Sequence, residues 1–384
     1  MRKTAAVLFL LVSLFACKTN IQTANSITPT STIQEDKVLA KNIILMIGDG
    51  MGIGQITAGM YATGNTLNLE SFPVVGLQKT HAYNDLITDS AASATAIACG
   101  VKTYNGAIGV NKDTLPIKTI IEEAEENGLR TGLVATSTIV HATPASFIAH
   151  QPMRNMYEFI ADDILESDID LLIGGGLKYF NSQRMRGRSL LPKLRQRGFT
   201  ISGISDAELV EVDLSRATKF AYFTANDAPI PSTTGRDYLP AASKIATRFL
   251  NNRRKKGFFL MIEGSQIDWG GHANDTEYII SEVQDFDRAI GEILDFAKEN
   301  KETLVIVTAD HETGGFAINP LSKRDSIIGA FTSKYHTATM VPVFAYGPGA
   351  ELFNGIYDNT AIHQKMRQAL GFDQKEEPPV INPE

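Results

Sequence analysis

Six runs of the chain are apolar and rich in β-branched residues: Asn42–Ile47 (NIILMI), Arg130–Thr136 (RTGLVAT), Asp170–Gly174 (DLLIG), Gly257–Ile262 (GFFLMI), Thr303–Thr308 (TLVIVT) and Val341–Tyr346 (VPVFAY). Short runs without polar alternation read as strands buried on both faces. Between them, the stretches 117–127, 154–166, 239–250 and 275–298 are amphipathic and predicted as helices. The last carries Ile279, Val283, Phe286, Ile290 and Ile293 at three- and four-residue steps, a stripe suited to packing on a sheet. Alternation of the two patterns predicts an α/β fold: a three-layer sandwich whose central, mostly parallel sheet is flanked by helices. No internal repeat is visible in the sequence.

The remaining apolar run, Ala5–Phe15, follows Arg2 and Lys3 and ends at Leu14-Phe15-Ala16-Cys17. It is too short to span a bilayer as a permanent helix. Residues 1–17 are therefore read as an export signal ending in a lipoprotein-like cleavage box, with Cys17 as the lipidation site; an ordinary secretory signal cleaved near Ala16 is the alternative. This reading places the protein in the periplasm or on the cell surface, touching membrane only through its N-terminal lipid. Residues 18–39, rich in Thr, Ser, Asn and Gln, are expected to form a flexible tether, 40–372 a single domain, and the Pro-rich 373–384 a disordered tail. Cys99 would be the only remaining thiol, which excludes a structural disulfide.

The chain's 384 residues suffice for a large core without staples. With 36 basic against 43 acidic residues its net charge is −7, which argues against nucleic acid binding by phosphate neutralisation. An anionic ligand would need a local device.

Residues just past the carboxyl ends of three strands suggest such a device. Asn42–Ile47 runs into Gly48-Asp49-Gly50, Gly257–Ile262 into Glu263, and Thr303–Thr308 into Asp310-His311. Ligands of open parallel sheets bind outside the carboxyl ends of the strands, so these groups are expected to share one crevice. The segment from Glu263 to Asp268, Trp269 and His272 is read as a short loop bearing carboxylate and imidazole together, a donor set that suits a divalent metal and zinc in particular. Of seven histidines, His141, His272, His311 and His336 fall in loops or just beyond predicted elements, beside acidic or hydroxyl residues. Ser90, in Thr88-Asp89-Ser90-Ala91-Ala92, is predicted at a helix N-terminus, where free N–H groups receive an anion; a plain N-cap role for Asp89 or Ser90 stands beside that reading. No G-x-S-x-G elbow is present. If Ser90 reacts, a metal ion must lower its pKa.

IGDGMG with Asp49, TDSAASATA with Ser90, VHATPASF with Thr143, HQPMRNMY with Arg154, the segment Glu263–His272, TADHETGGF and His336-Thr337 occur in the order seen in alkaline phosphatases. From about residue 42 to 347 the chain resembles that family, in a short bacterial form: the 19-residue step from Ala317 to His336 leaves no room for a crown insertion. The resemblance implies a metal-dependent phosphomonoesterase of broad specificity that works through a phosphoserine on Ser90. It implies two zinc ions and one magnesium per chain. One zinc would be held by Asp268, His272 and His336, the other by Asp49, Asp310, His311 and the Ser90 oxygen, and magnesium by Asp49, Thr143 and Glu263. Arg154 would grip the phosphate, and the family is commonly homodimeric. Two positions depart from the commonest bacterial pattern, His141 near the magnesium and Trp269 near the phosphate; His141 makes zinc an alternative occupant of the third site. A sulfatase reading lacks its modified-nucleophile context, because Cys99 is followed by Gly-Val-Lys-Thr. A phosphodiesterase of the same superfamily and a metal-binding lipoprotein without turnover remain as alternatives.

Overall fold

The computed structural model describes residues 39–182, 187–251, 256–324 and 326–372. The expected signal (1–17), the tail (373–384) and the tether apart from Leu39 lie outside the described residues. Along the chain the strands are β1 (Asn42–Gly48), β2 (Val74–Lys79), β3 (Arg130–Thr138), β4 (Leu171–Gly175), β5 (Phe199–Gly203), β6 (Lys219–Phe223), β7 (Phe258–Gly264) and β8 (Thr303–Thr308). Four two-residue strands come next, β9 (Glu312–Thr313), β10 (Ala317–Ile318), β11 (Gly329–Ala330) and β12 (His336–Thr337), then β13 (Val341–Tyr346) and β14 (Gly355–Asp358). The helices are α1 (Ile53–Ala62), α2 (Ser90–Cys99), α3 (Ile120–Glu126), α4 (Ala142–Ala145) and α5 (Tyr157–Glu166). They continue with α6 (Leu191–Gln196), α7 (Tyr238–Leu250), α8 (Gln266–Ala273), α9 (Thr276–Asn300) and α10 (Thr360–Leu370).

Ten strands form one sheet in the order β14-β2-β13-β8-β1-β7-β3-β4-β6-β5. All its pairings are parallel except those of β13, which runs antiparallel to both β2 and β8. β1 lies at the centre, with Ile44 opposite Leu260 on one side and Val305 on the other. Its side chains alternate between two cores: Ile43, Leu45 and Ile47 join residues of α2, α3, α5 and α10, whereas Ile44 and Met46 join residues of α1, α7 and α9. A helix layer on each face explains why the sequence shows no polar alternation there.

Helix α9 buries the expected stripe, with Ile279, Val283, Phe286, Ile290 and Ile293 all at 2% exposure or less. Each such side chain contributes about 1.5–3 kcal/mol by leaving water. Its start is set by Asp275, whose carboxylate accepts a hydrogen bond from the Tyr278 N–H. α3 starts at Ile120 rather than 117 because Thr119 and Glu122 form a reciprocal capping box. The stretch predicted from 154 becomes helix only at Tyr157, which leaves Arg154 in the preceding turn. Four strands of the main sheet, β2, β5, β6 and β14, escape the sequence pattern: β2 contains Gly76, and β5 and β14 are short edges. Asp268 and His272, expected on a short loop, lie instead on α8. Gly270 and Gly271 argue locally against a helix, but a Cβ on Gly270 would meet Ile279 at 2.9 Å and one on Gly271 would meet Thr313 at 2.7 Å, so close packing requires them. Among the described residues no helix is long and apolar enough to cross a membrane.

Candidate active site

The carboxyl ends of β1, β7 and β8 deliver Asp49, Glu263 and Asp310-His311 to one place, as adjacent parallel strands must. Gly50 makes the turn after Asp49 with φ +72°, and a Cβ there would lie 2.7 Å from the Asp268 backbone. α2 begins at Ser90, capped by Asp89, whose Oδ1 accepts from the Ala92 N–H at 2.9 Å. The other Asp89 oxygen pairs with Arg154 Nη1 at 3.0 Å. Ser90 Oγ stands 3.4 Å from His311 Nε2.

Three groups of ligand atoms, each within 4.8 Å of one another, result: Asp268 with His272 and His336, Asp49 with Asp310 and His311, and Asp49 with His141 and Glu263. In the first, α8 places Asp268 and His272 one turn apart. Both of that group's imidazoles donate through Nδ1, His272 to the Lys334 carbonyl and His336 to the Thr88 carbonyl, each at 2.7 Å. In the neutral form of both rings that leaves each Nε2 a lone pair, and the two Nε2 atoms face each other at 3.1 Å. Two lone pairs aimed at one point call for a cation between them.

The second and third groups pass the same test. Asp310 Oδ1 accepts from the Gly50 and His311 N–H groups, while Oδ2 is buried without a hydrogen-bond partner. Asp49 accepts from Thr143 through Oδ2 at 3.4 Å and Glu263 from Ser137 through Oε2 at 3.2 Å; Asp49 Oδ1, 3.5 Å from His311 Nε2, Glu263 Oε1 and His141 Nδ1 are buried without a hydrogen-bond partner. One atom of each carboxylate is held by protein and the other is offered inward. Buried anionic oxygens without partners are costly, and divalent cations suit them.

The electrostatics agree. Burial, reinforced by Asp310, Asp268 and Glu263, pushes Asp49 well above the usual carboxylate range. Glu263 is pushed up to about 7, chiefly by burial. Burial also opposes ionisation of Asp268, but the imidazoles of His336, His311 and His272 outweigh it and hold the carboxyl below its ordinary value. His141 is lowered to about 4 by burial and by Arg154, which keeps it neutral and able to ligate. Burial disfavours the Arg154 charge, yet Asp89 more than compensates.

Of the residues named from the sequence, Asp49, His141, Glu263, Asp268, His272, Asp310, His311 and His336 meet in the three groups, Ser90 and Thr143 touch them through His311 and Asp49, and Arg154 reaches Asp89 beside Ser90. Trp269 makes an edge-to-face contact with His141, ring centroids 6.1 Å apart. Cys17 lies outside the described residues, and Cys99 is buried and free. Sequence reasoning missed Thr313, whose Oγ1 stands 3.2 Å from His311 Nδ1 and donates to Asp268 Oδ1 at 2.5 Å, tying two of the groups together. Its place two residues after His311 was the only local signal. The carbonyls of Thr88 and Lys334 leave none, because every residue has one.

The alkaline phosphatase family profile matches residues 40–329 and 323–372. The chain is 36% identical to alkaline phosphatase 4 of Bacillus subtilis over 93% of each protein, and 32% identical to the alkaline phosphatase of Escherichia coli over 86% of each. Among solved structures, the alkaline phosphatase of the Antarctic bacterium TAB5 is similar with a TM-score of 0.83 and 45% identity, covering 87% of this chain and 99% of that one. A variant of that protein with a histidine replaced by aspartate holds magnesium in its M3 site; it is 44% identical with a TM-score of 0.82, over the same shares of the two chains.

Proposed function

The chain belongs to the alkaline phosphatase family and is a metal-dependent phosphomonoester hydrolase, and from that premise we propose that it acts through a phosphoserine on Ser90, with two zinc ions and one magnesium. Asp268, His272 and His336 would hold one zinc, Asp49, Asp310 and His311 with Ser90 the other, and Asp49, Thr143 and Glu263 the magnesium. His141 makes zinc the alternative occupant of the third group. The observation that carries this reading is the Ser90 hydroxyl, at the start of α2 and 3.4 Å from His311 Nε2, beside the Arg154–Asp89 pair.

Bound in these groups, the cations would favour the Ser90 alkoxide and offset charge developing on the phosphoryl and leaving oxygens. The chain's own residues do the rest. The start of α2, whose Ala92 N–H is taken by Asp89, would present its remaining N–H groups to the phosphoryl group, and the planar Arg154 guanidinium can take two of its oxygens at once. Ser90 Oγ forms a bond to phosphorus as the ester P–O bond breaks, its proton passing to solvent and the departing alkoxide taking one up. Water then cleaves the phosphoserine, freeing Ser90 and inorganic phosphate. Because these contacts reach only the phosphoryl group, specificity for the alcohol is broad.

The test is p-nitrophenyl phosphate turnover at alkaline pH, with metal content measured on the same sample. Turnover is expected to vanish on chelation, and to fall by roughly 10³-fold or more in Ser90→Ala at unchanged metal content. Undiminished turnover in Ser90→Ala would discard the phosphoserine route. A bis-aryl phosphate cleaved faster than the monoester would discard broad monoesterase specificity.

Residues 40–372 are proposed to act as one catalytic domain, in a homodimer, exported and anchored through a lipid on Cys17. This rests on the N-terminal sequence and the family's habit. A Cys17→Ser protein is expected to leave the membrane fraction, and equilibrium sedimentation of the soluble form to give twice the chain mass.

A further inference from the structure

The Tyr335 ring lies on the imidazole of His336, centroids 4.4 Å apart and planes 5° apart. His311 stacks on the same imidazole at 3.6 Å and 17°. Two rings this close and this parallel occupy opposite faces of the one between them, so His311, His336 and Tyr335 form a continuous stack. Tyr335 also lies 5.9 Å from the His272 ring. Its backbone is fixed on both sides, its N–H donating to Ser333 Oγ and its carbonyl accepting from the Gly314 N–H. The residue is half exposed, at 49%.

A hydrogen bond from Nδ1 to the Thr88 carbonyl holds the His336 ring at the edge away from the other two ligands. Rotation about that edge would swing Nε2 away from Asp268 Oδ1 and His272 Nε2, which stand 3.5 and 3.1 Å from it. The stack blocks that rotation from both faces. Tyr335 is the half-exposed outer member of that stack.

We propose that Tyr335 is a positioning residue for the metal held by Asp268, His272 and His336. It holds the His336 imidazole in its ligating orientation and so slows loss of that ion. The proposal rests on the reading of this group as a zinc site.

The experiment follows zinc release from the zinc-loaded full chain to a chromogenic chelator. The visible spectrum of the cobalt-substituted protein reports ligand geometry independently of turnover. Tyr335→Ala is expected to release zinc roughly 10-fold faster and to shift the cobalt bands, since losing an orienting partner typically costs about 10–100-fold in metal affinity. Tyr335→Phe is expected to match the parent. Tyr335→Leu, which fills the space without a flat ring, is expected to behave like Tyr335→Ala and guards against a folding defect. Parent-like release from Tyr335→Ala and Tyr335→Leu would overturn the proposal, and so would a Tyr335→Phe protein as leaky as Tyr335→Ala, which would make the hydroxyl the agent. His336→Ala is the reference: if it retains zinc as well as the parent, the zinc-site reading itself falls.

Discussion

Asp89 divides its two oxygens between unlike tasks, capping α2 through Oδ1 and pairing with Arg154 through Oδ2. Asp89→Asn keeps an N-cap oxygen but removes the charge facing the guanidinium. Asp89→Ala removes both and is expected to lose about 1 kcal/mol more stability in thermal denaturation. Arg154→Lys cannot hold two oxygens in one plane, and its KM for a monoester is expected to rise by roughly 10-fold, read from steady-state kinetics. Trp269 brings one neutral donor to the site wall. A Trp269→Lys variant should bind product phosphate more tightly, and an inhibition constant that did not fall would sink that idea. The residue types and their motifs were legible in the sequence. The double use of Asp89 was not, because Arg154 reaches it from 65 positions away.

Elements show a different balance. β1, β7 and β8 were readable because burial on both faces leaves an unbroken apolar run. α8 was not, because its Gly270 and Gly271 answer to Ile279 and Thr313 rather than to helix propensity. At the α3–β3 contact, Thr131 Oγ1 donates to Glu125 Oε1 at 2.7 Å, and burial pushes Glu125 up to about 7 from an ordinary 4.5. The folded chain therefore holds a proton on Glu125 that the unfolded chain has lost between those values, so stability falls as pH rises from about 4.5 through 7. Glu125→Gln cannot ionise. It is expected to match the parent at pH 4 and to exceed it by about 1–2 kcal/mol at pH 8, measured by denaturant titration.

At the scale of the whole molecule, Asp49, Glu263, Asp268 and Asp310 are 5% exposed or less and converge from separate strands and a helix. Stripping the metals leaves these carboxylates to one another, so the melting temperature should fall on chelation. Restoring zinc at about 1,000 times its dissociation constant returns roughly 4 kcal/mol per site by mass action, which scanning calorimetry reads directly. An unchanged melting temperature would mean that the groups hold no metal.

The sequence alone determined the sheet-forming runs, the α9 stripe and the donor types, since each is a local consequence of burial or of side-chain chemistry. Tertiary structure decided which donors meet. The order β8-β1-β7-β3 sets beside one another strands far apart in the chain, bringing His141 to Asp49 and Glu263. It also decided the orientations: Nδ1 of His272 and of His336 is fixed by a backbone carbonyl, and the His336 face by Tyr335. Carbonyls carry no sequence signature, and the His311–His336 stack forms only where the chain has been brought back upon itself.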